Sequence, residues 1–196
     1  MKKSWIVIII LVVVVFFSYS YVKGKYNTMV VTSETVDAQW AQVENVYQRR
    51  ADLIPNLVAT VKGYASHEKE TLEGVVEARA KATSTTIDAG NMDAAALQKF
   101  QSAQDGLSSA LSRLMVVVER YPDLKANQNF MELQAQLEGT ENRITVERKR
   151  FNDTAREYNL SIKMFPNNLF AGMFGFETKA YFQAQEGSDQ APKVEF

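Results

Sequence analysis

The chain contains no cysteine and one histidine, His67, among its 196 residues. The absence of cysteine excludes disulfides, thiolate metal sites and cysteine nucleophiles. The stretch HEKET, residues 67–71, begins like the zinc-protease motif H-E-x-x-H, but Thr71 stands where the second histidine is required. Because zinc proteases need two imidazoles on one helical face, this stretch does not predict a protease. We interpret His67 as a surface or inter-helix hydrogen-bonding residue in the first turn of a helix.

Other signatures of catalysis are also missing. The stretch GMFGF, residues 172–176, lacks the G-x-x-x-x-G-K-[ST] run of a phosphate-binding loop. Ser66 lies beside the single histidine, at a helix-cap position and not on a nucleophile elbow. We therefore predict no catalytic residue, no metal ligand and no cofactor.

An excess of charge of either sign is lacking as well. The sequence has 22 Lys and Arg residues against 23 Asp and Glu residues, and its formal net charge is -1. A nucleic-acid-binding protein normally presents a basic face, and none stands out here. The sequence therefore predicts no nucleic-acid partner.

The most prominent feature that is present is an uncharged, mostly apolar run that begins at Trp5 and ends at Val22. As a helix it would be about 27 Å long, close to the thickness of the hydrocarbon core of a bilayer. We interpret it as a single-pass anchor in the lipid bilayer of the cell (inner) membrane, within an anchor segment of residues 1–25. The alternative is a cleaved signal peptide with Ser18 and Ser20 at the cleavage site, which the two bulky phenylalanines just before it disfavour.

Lysines flank both ends of the apolar run. Lys2 and Lys3 precede it, and Lys23 and Lys25 follow it. Together with the amino terminus, the first pair gives the positive-inside rule a slight preference for a cytoplasmic N-terminus. The body of the protein is then predicted on the extracytoplasmic side.

Residues 26–165 are predicted to form a bundle of long helices, because apolar residues recur there at spacings of three and four. The first apolar seam has one polar member, Arg50, and passes through Pro55. Proline lacks the backbone donor, so the helix is expected to kink or break at Pro55. The members of the seam are Val36, Trp40, Val43, Tyr47, Arg50, Ile54, Leu57, Val61 and Tyr64.

Three further helices are predicted. One begins at a Ser66 cap and ends near Thr83, with Leu72, Val75, Val76 and Ala80 as its apolar residues. The next runs from about Met92 to Tyr121 and is ended by Pro122. The last begins near Ala126 and repeats an apolar residue every seven positions: Phe130, Leu137, Ile144, Phe151, Tyr158 and Phe165. A seven-residue repeat on long helices predicts left-handed bundle packing, and the predicted fold class is all-α: an N-terminal transmembrane helix followed by a bundle of long helices.

Residues 166–196 are predicted to form an aromatic C-terminal arm followed by a polar tail. Gly172 and Gly175 are interspersed with several aromatic residues, and the end of the chain is polar. One interpretation is an arm that packs along the surface of its own bundle. The other is an arm that binds a partner protein through exposed aromatic side chains.

Arg50 on the first seam must be paired if it is buried. We predict an inter-helix ion-pair layer that joins Arg50, or its neighbour Arg49, to Glu141, Glu147 or Glu77. Such layers fix the register of a bundle, and we interpret this one as structural and not as a ligand site.

Two combinations of residues resemble the LemA family of bacterial single-pass membrane proteins. They are R-R-x-D-L-I-P-N-L in residues 49–57 and Y-N-x-x-I-x-x-F-P in residues 158–166, and similarity extends over residues 119–144 and to the FGF at 174–176. The resemblance implies a membrane-tethered antiparallel bundle of long helices and no established reaction. One departure is Phe151 before Asn152, where the family more often has tyrosine. Matching positions are Arg49, Arg50, Asp52, Pro55, Asn56, Lys62, Tyr64, His67, Glu68, Glu77, Arg79, Asn159 and Pro166.

The predicted function is a membrane-anchored, non-enzymatic helical scaffold of the bacterial cell envelope that binds other membrane or envelope proteins. One alternative is a metal-binding hydrolase that uses carboxylates around His67. Another is a structural membrane protein that assembles with copies of itself through the heptad row of the last helix.

Overall fold

The computed structural model describes residues 3–183, so the predicted polar tail lies outside the described residues from position 184 onward. None of residues 3–183 lies in a β-strand, and the all-α prediction is confirmed. The helices are α1 (Lys3–Tyr64), α2 (Lys69–Ser84), a 3-10 helix (Ala89–Asn91), α3 (Ala94–Val118), α4 (Pro122–Lys125), α5 (Gln128–Lys163) and α6 (Asn167–Phe174).

Helix α1 is one continuous helix of 62 residues. At 1.5 Å per residue it is about 93 Å long. Its N-terminal part is the apolar run, whose residues are exposed, and its C-terminal part lies in the core of the bundle. The helix passes through Pro55 without ending, so the alternative of two helices joined at Pro55 is wrong.

The four long helices alternate in direction. Helix α2 returns antiparallel to α1, α3 runs parallel to α1, and α5 returns antiparallel along α1. Two contacts show that α1 and α5 are antiparallel: Gln39 bonds Glu147, and Arg50 bonds Glu141. The contact that lies later on α1 lies earlier on α5. The antiparallel bundle that the family resemblance implied is therefore present.

The buried positions follow the predicted seams, with differences at the helix ends. The α1 seam is buried as far as Val61, but Tyr64 is 46% exposed and Ala65 is buried in its place. Both residues lie within about one turn of Val61, but α1 ends at Tyr64, so the alternation of three and four stops there, and the Ala65 N–H bonds to the Val61 carbonyl at 2.8 Å. On α5 the heptad row is buried as far as Tyr158, whereas Phe165 is 81% exposed because the helix ends at Lys163.

Helix α2 differs more from its prediction. Leu72 and Val75 are buried as expected, but Val76 and Ala80 are exposed, and the buried face continues to Ala82. Ser66 does not cap this helix. The helix begins after Glu68, which makes no side-chain capping bond.

The other predicted boundaries shift by a few residues. Helix α3 begins after Asp93, whose carboxylate accepts a hydrogen bond from the backbone N–H of Ala96 at 2.7 Å. It ends at Val118, and Pro122 opens the separate turn α4 instead of directly ending α3. Helix α5 begins after Asn127, whose side chain caps the N–H of Phe130 in the same way.

Candidate functional site

His67 is exposed in the turn between α1 and α2, as the sequence predicted for a surface residue. Its neighbour Glu68 is hydrogen-bonded: the Oε1 atom accepts from Arg120 and from the Tyr121 hydroxyl, each at 3.0 Å. The hydrogen bond to Glu68 raises the pKa of Tyr121. Residues 3–183 contain no group of three or more His, Asp or Glu side chains that could share a metal ion. The alternative of a hydrolase built around His67 therefore gains no support from the geometry.

The predicted ion-pair layer is present around Arg50, which is 2% exposed. Arg50 Nη1 donates to Glu141 Oε2 at 2.9 Å and to Ser108 Oγ at 2.8 Å. Its Nη2 donates to the side-chain oxygen of Gln104 at 2.8 Å. Of the predicted alternatives, Arg50 and Glu141 form the pair, and Arg49 is exposed.

The Arg50 network connects all four long helices. Arg50 comes from α1, Gln104 and Ser108 from α3, and Glu141 from α5. Gln104 also donates from Nε2 to the backbone carbonyl of Ala82 on α2, at 3.2 Å. A shift of any one helix by a turn would break these bonds, so the network fixes the register of the bundle.

The hydrogen bonds of this network serve to hold helices together. The Ser108 hydroxyl accepts from Arg50 and donates to the Gln104 backbone carbonyl at 3.3 Å. The Arg50 guanidinium also lies 5.2 Å from the centre of the Tyr47 ring. Burial raises the pKa of Tyr47, so this phenol stays protonated beside the cation at neutral pH.

A second polar contact was not predicted from the sequence. Pro55 has no N–H, so the backbone carbonyl of Ala51, four residues earlier, loses its partner within α1. Arg79 on α2 supplies the missing donor, with its Nε atom 2.7 Å from that carbonyl oxygen. A signal existed in the pairing of a mid-helix proline with a lone arginine on the next helix, but the sequence does not show that Arg79 faces the Ala51 carbonyl.

We expect Arg79→Met to lower the free energy of unfolding by about 1–3 kcal/mol, because it leaves a partly buried carbonyl unpaired. In a Pro55→Ala background the same change should cost clearly less, since residue 55 then donates its own N–H to Ala51. Denaturant unfolding of the four proteins in this double-mutant cycle measures the difference. Equal losses in both backgrounds would show that Arg79 does not act through this carbonyl.

The C-terminal arm packs along the bundle, as the first of its two interpretations predicted. Residues 176–183 are extended and lie against α5. The Asn152 side chain accepts from the backbone N–H of Phe182 at 2.9 Å and donates to its carbonyl at 3.0 Å. The Asn159 side chain makes the same two bonds with Lys179, at 2.9 and 2.8 Å. Seven residues of α-helix rise about 10.5 Å, and three residues of extended chain span about 10 Å, so the two spacings match.

Two side chains of the arm are buried in the bundle. The Phe182 ring stacks on Trp40 at a centroid distance of 6.0 Å and meets the edge of Phe151 at 5.6 Å. Phe151 is fully buried there, at the position where the family more often has tyrosine. The Lys179 ammonium donates to Asp37 at 3.1 Å and to the Ala89 carbonyl at 2.6 Å. The arm thereby joins α5, α1 and the loop before α3.

Comparison with known proteins agrees with these features. A family model described as the LemA family matches residues 39–196. The chain is 29% identical to magnetosome protein MamQ 1 of Paramagnetospirillum magneticum, over 84% of this chain and 67% of that protein. MamQ of Magnetospirillum gryphiswaldense is also 29% identical, over 84% of this chain and 67% of that protein. Protein LemA of Metamycoplasma hominis is 23% identical, over 95% of this chain and 81% of that protein. None of these names denotes an enzyme.

Proposed function

Because this chain belongs to the LemA family, we propose that it is a membrane-anchored, non-enzymatic helical scaffold that binds other proteins of the membrane or cell envelope. The observation that carries the proposal is the continuity of α1. A single helix contains both the apolar run and one wall of the bundle core, so no flexible linker separates the segment assigned to the bilayer from the body.

The body begins almost where the apolar run ends. Met29, seven residues after Val22, is already fully buried in the bundle core. From Val22 to the end of α1 at Tyr64, the helix rises about 60 Å. A scaffold needs this arrangement, because it presents binding surfaces at a fixed height above the bilayer.

The polar groups of the bundle support a non-enzymatic role. These polar side chains use their hydrogen bonds to join helices to one another or to the arm. They are Arg50 with its partners, Arg79 and the two asparagines of α5. Similarity to a magnetosome protein supports a role at a membrane. We place the protein in the inner membrane with the body outside the cytoplasm, because Lys2, Lys3 and the amino terminus before the apolar run together outnumber Lys23 and Lys25 after it.

A single variant, Val146→Cys, tests both the location and the binding role. Val146 is 47% exposed on α5, in a shallow depression between α1 and α5 lined by Gln42, Asn142 and Arg150. Because the chain has no native cysteine, only this position reacts with a thiol reagent. We expect a membrane-impermeant maleimide to label it in intact cells, with any outer membrane permeabilised. A photo-crosslinker attached at the same thiol should then yield adducts with a different protein.

The matched control is Ile144→Cys, two residues earlier on the same helix. Ile144 is buried, so its thiol should react only after denaturation, which shows that the labelled protein was folded. Protection of residue 146 until lysis would place the body in the cytoplasm and contradict the proposed side. Adducts with lipid alone, here and at the equivalent exposed position Ser109 on α3, would contradict the binding role. Adducts between two copies of this chain would favour the self-assembling alternative.

A further inference from the structure

The corner between α5 and α6 leaves large apolar side chains exposed. Met173 is 73% exposed and Leu169 is 59% exposed, and the two lie one turn apart on the same face of α6. Met164 and Phe165, in the connection that leads into α6, are also exposed. We refer to these four residues as the α6 apolar face: Met164, Phe165, Leu169 and Met173. Nothing among residues 3–183 covers it.

An adjacent side of α6 packs against α1 at the end of the apolar run. The Phe170 ring lies 6.4 Å from the Tyr21 ring, and the Phe174 ring lies 5.0 Å from the Tyr26 ring. Tyr21 lies one residue before the end of the run, and Tyr26 lies four residues after it. Helix α6 is therefore level with the point at which α1 would leave the hydrocarbon of a bilayer.

Lysines outnumber carboxylates around this corner. Residues 164–176 contain no charged side chain; Lys163 precedes them and the exposed Glu177 follows them. On α1, Lys23 and Lys25 follow the run, and the first acidic residue is Glu34. An uncharged apolar helix face with three lysines and one glutamate at its borders has the composition of segments that lie in the headgroup region of anionic bilayers.

We propose that α6 is an interfacial helix whose apolar face enters the headgroup region of the leaflet from which α1 emerges. The occupant of this surface is lipid, because the position of α6 on α1 brings the face to the bilayer whenever α1 spans it. The inference thus rests on the proposed anchoring of α1. Its consequence is a second attachment of the body to the bilayer, which opposes any tilt of α1 that would lift α6 out of the headgroup region.

The test uses the full-length chain in nanodiscs of phosphatidylcholine and phosphatidylglycerol. A single cysteine at Met173→Cys carries a polarity-sensitive fluorophore, and spin-labelled lipids serve as quenchers. We expect several-fold brighter and blue-shifted emission relative to the same label at Val116→Cys, and quenching by lipids labelled near the headgroup. Val116 is the matched control because it is 71% exposed but lies near the far end of α3.

A third label, at Val12→Cys in the middle of the apolar run, separates failure of this inference from failure of the anchor. If the label at Val12 is quenched by lipids labelled deep in the acyl chain and the label at Met173 behaves like that at Val116, the interfacial helix is refuted and the anchor stands. If the label at Met173 is blue-shifted but unquenched, protein and not lipid covers this face, which also refutes the proposal. If the label at Val12 is unquenched, anchoring fails and the inference falls with it.

Discussion

Arg50→Ala is expected to lower the free energy of unfolding by about 3 kcal/mol. Glu141 is half exposed, so its carboxylate regains water when the guanidinium is removed. The larger part of the loss comes from the buried Gln104, whose side-chain oxygen loses its donor at 2.8 Å, and from the void left in the core. Denaturant unfolding of the full chain in detergent, followed by circular dichroism, measures this loss.

The matched control is the adjacent arginine. Arg49 has the same charge but is exposed, so Arg49→Ala should change the stability by no more than about 0.5 kcal/mol. Arg50→Met tests the cause, since an apolar side chain of similar length fills the void but leaves Gln104 without its donor. If Arg49→Ala and Arg50→Ala proved equally costly, the stability would depend on net charge and not on the buried network.

Phe182→Ala is expected to release the C-terminal arm from the bundle. Phe182 is buried against Trp40 and Phe151, and truncation of a buried phenylalanine costs about 3 kcal/mol or more. Because the arm can open without unfolding the bundle, the loss should appear as local opening. The amide protons of Lys179 and Phe182, which the two asparagines bind, should exchange with solvent about 100-fold faster.

Gln183→Ala is the control for the arm. Its side chain is exposed, and its backbone carbonyl keeps the hydrogen bonds from Gln101 and Arg148. Exchange at Lys179 and Phe182 should therefore stay close to that of the unchanged protein. Unchanged exchange in Phe182→Ala would mean that the asparagines alone hold the arm.

The Arg50 network could be predicted from the sequence in part. Helical periodicity shows that Arg50 shares a face with apolar residues, and the cost of burying an unpaired cation then requires a partner. The choice of Glu141 over Glu147 and Glu77 could not be made in the same way. It depends on which carboxylates of α5 and α2 lie at the height of Arg50 once the helices are packed, and periodicity within one helix does not show that.

The contacts of the arm could not be predicted, for a different reason. Asn152 and Asn159 look like ordinary polar residues on α5, because their seven-residue spacing shows only that they share a face of the helix and not that an extended segment pairs with them. The bond from Arg79 to the Ala51 carbonyl is hidden similarly, since it satisfies a backbone atom that the sequence does not display. Periodicity shows which residues on one face of a helix are apolar. The partners of backbone atoms are known only from the three-dimensional arrangement of the helices.

The unbroken length of α1 has a mechanical consequence. A spanning helix of this kind tilts by about 20° on average and changes its tilt when the thickness of the surrounding bilayer changes. Over the roughly 60 Å that separate Val22 from Tyr64, a swing of that size moves the tip sideways by about 20 Å. On the proposed anchoring, α1 would therefore act as a lever, in which a change of tilt at the bilayer becomes a much larger sideways displacement at the far end of the bundle.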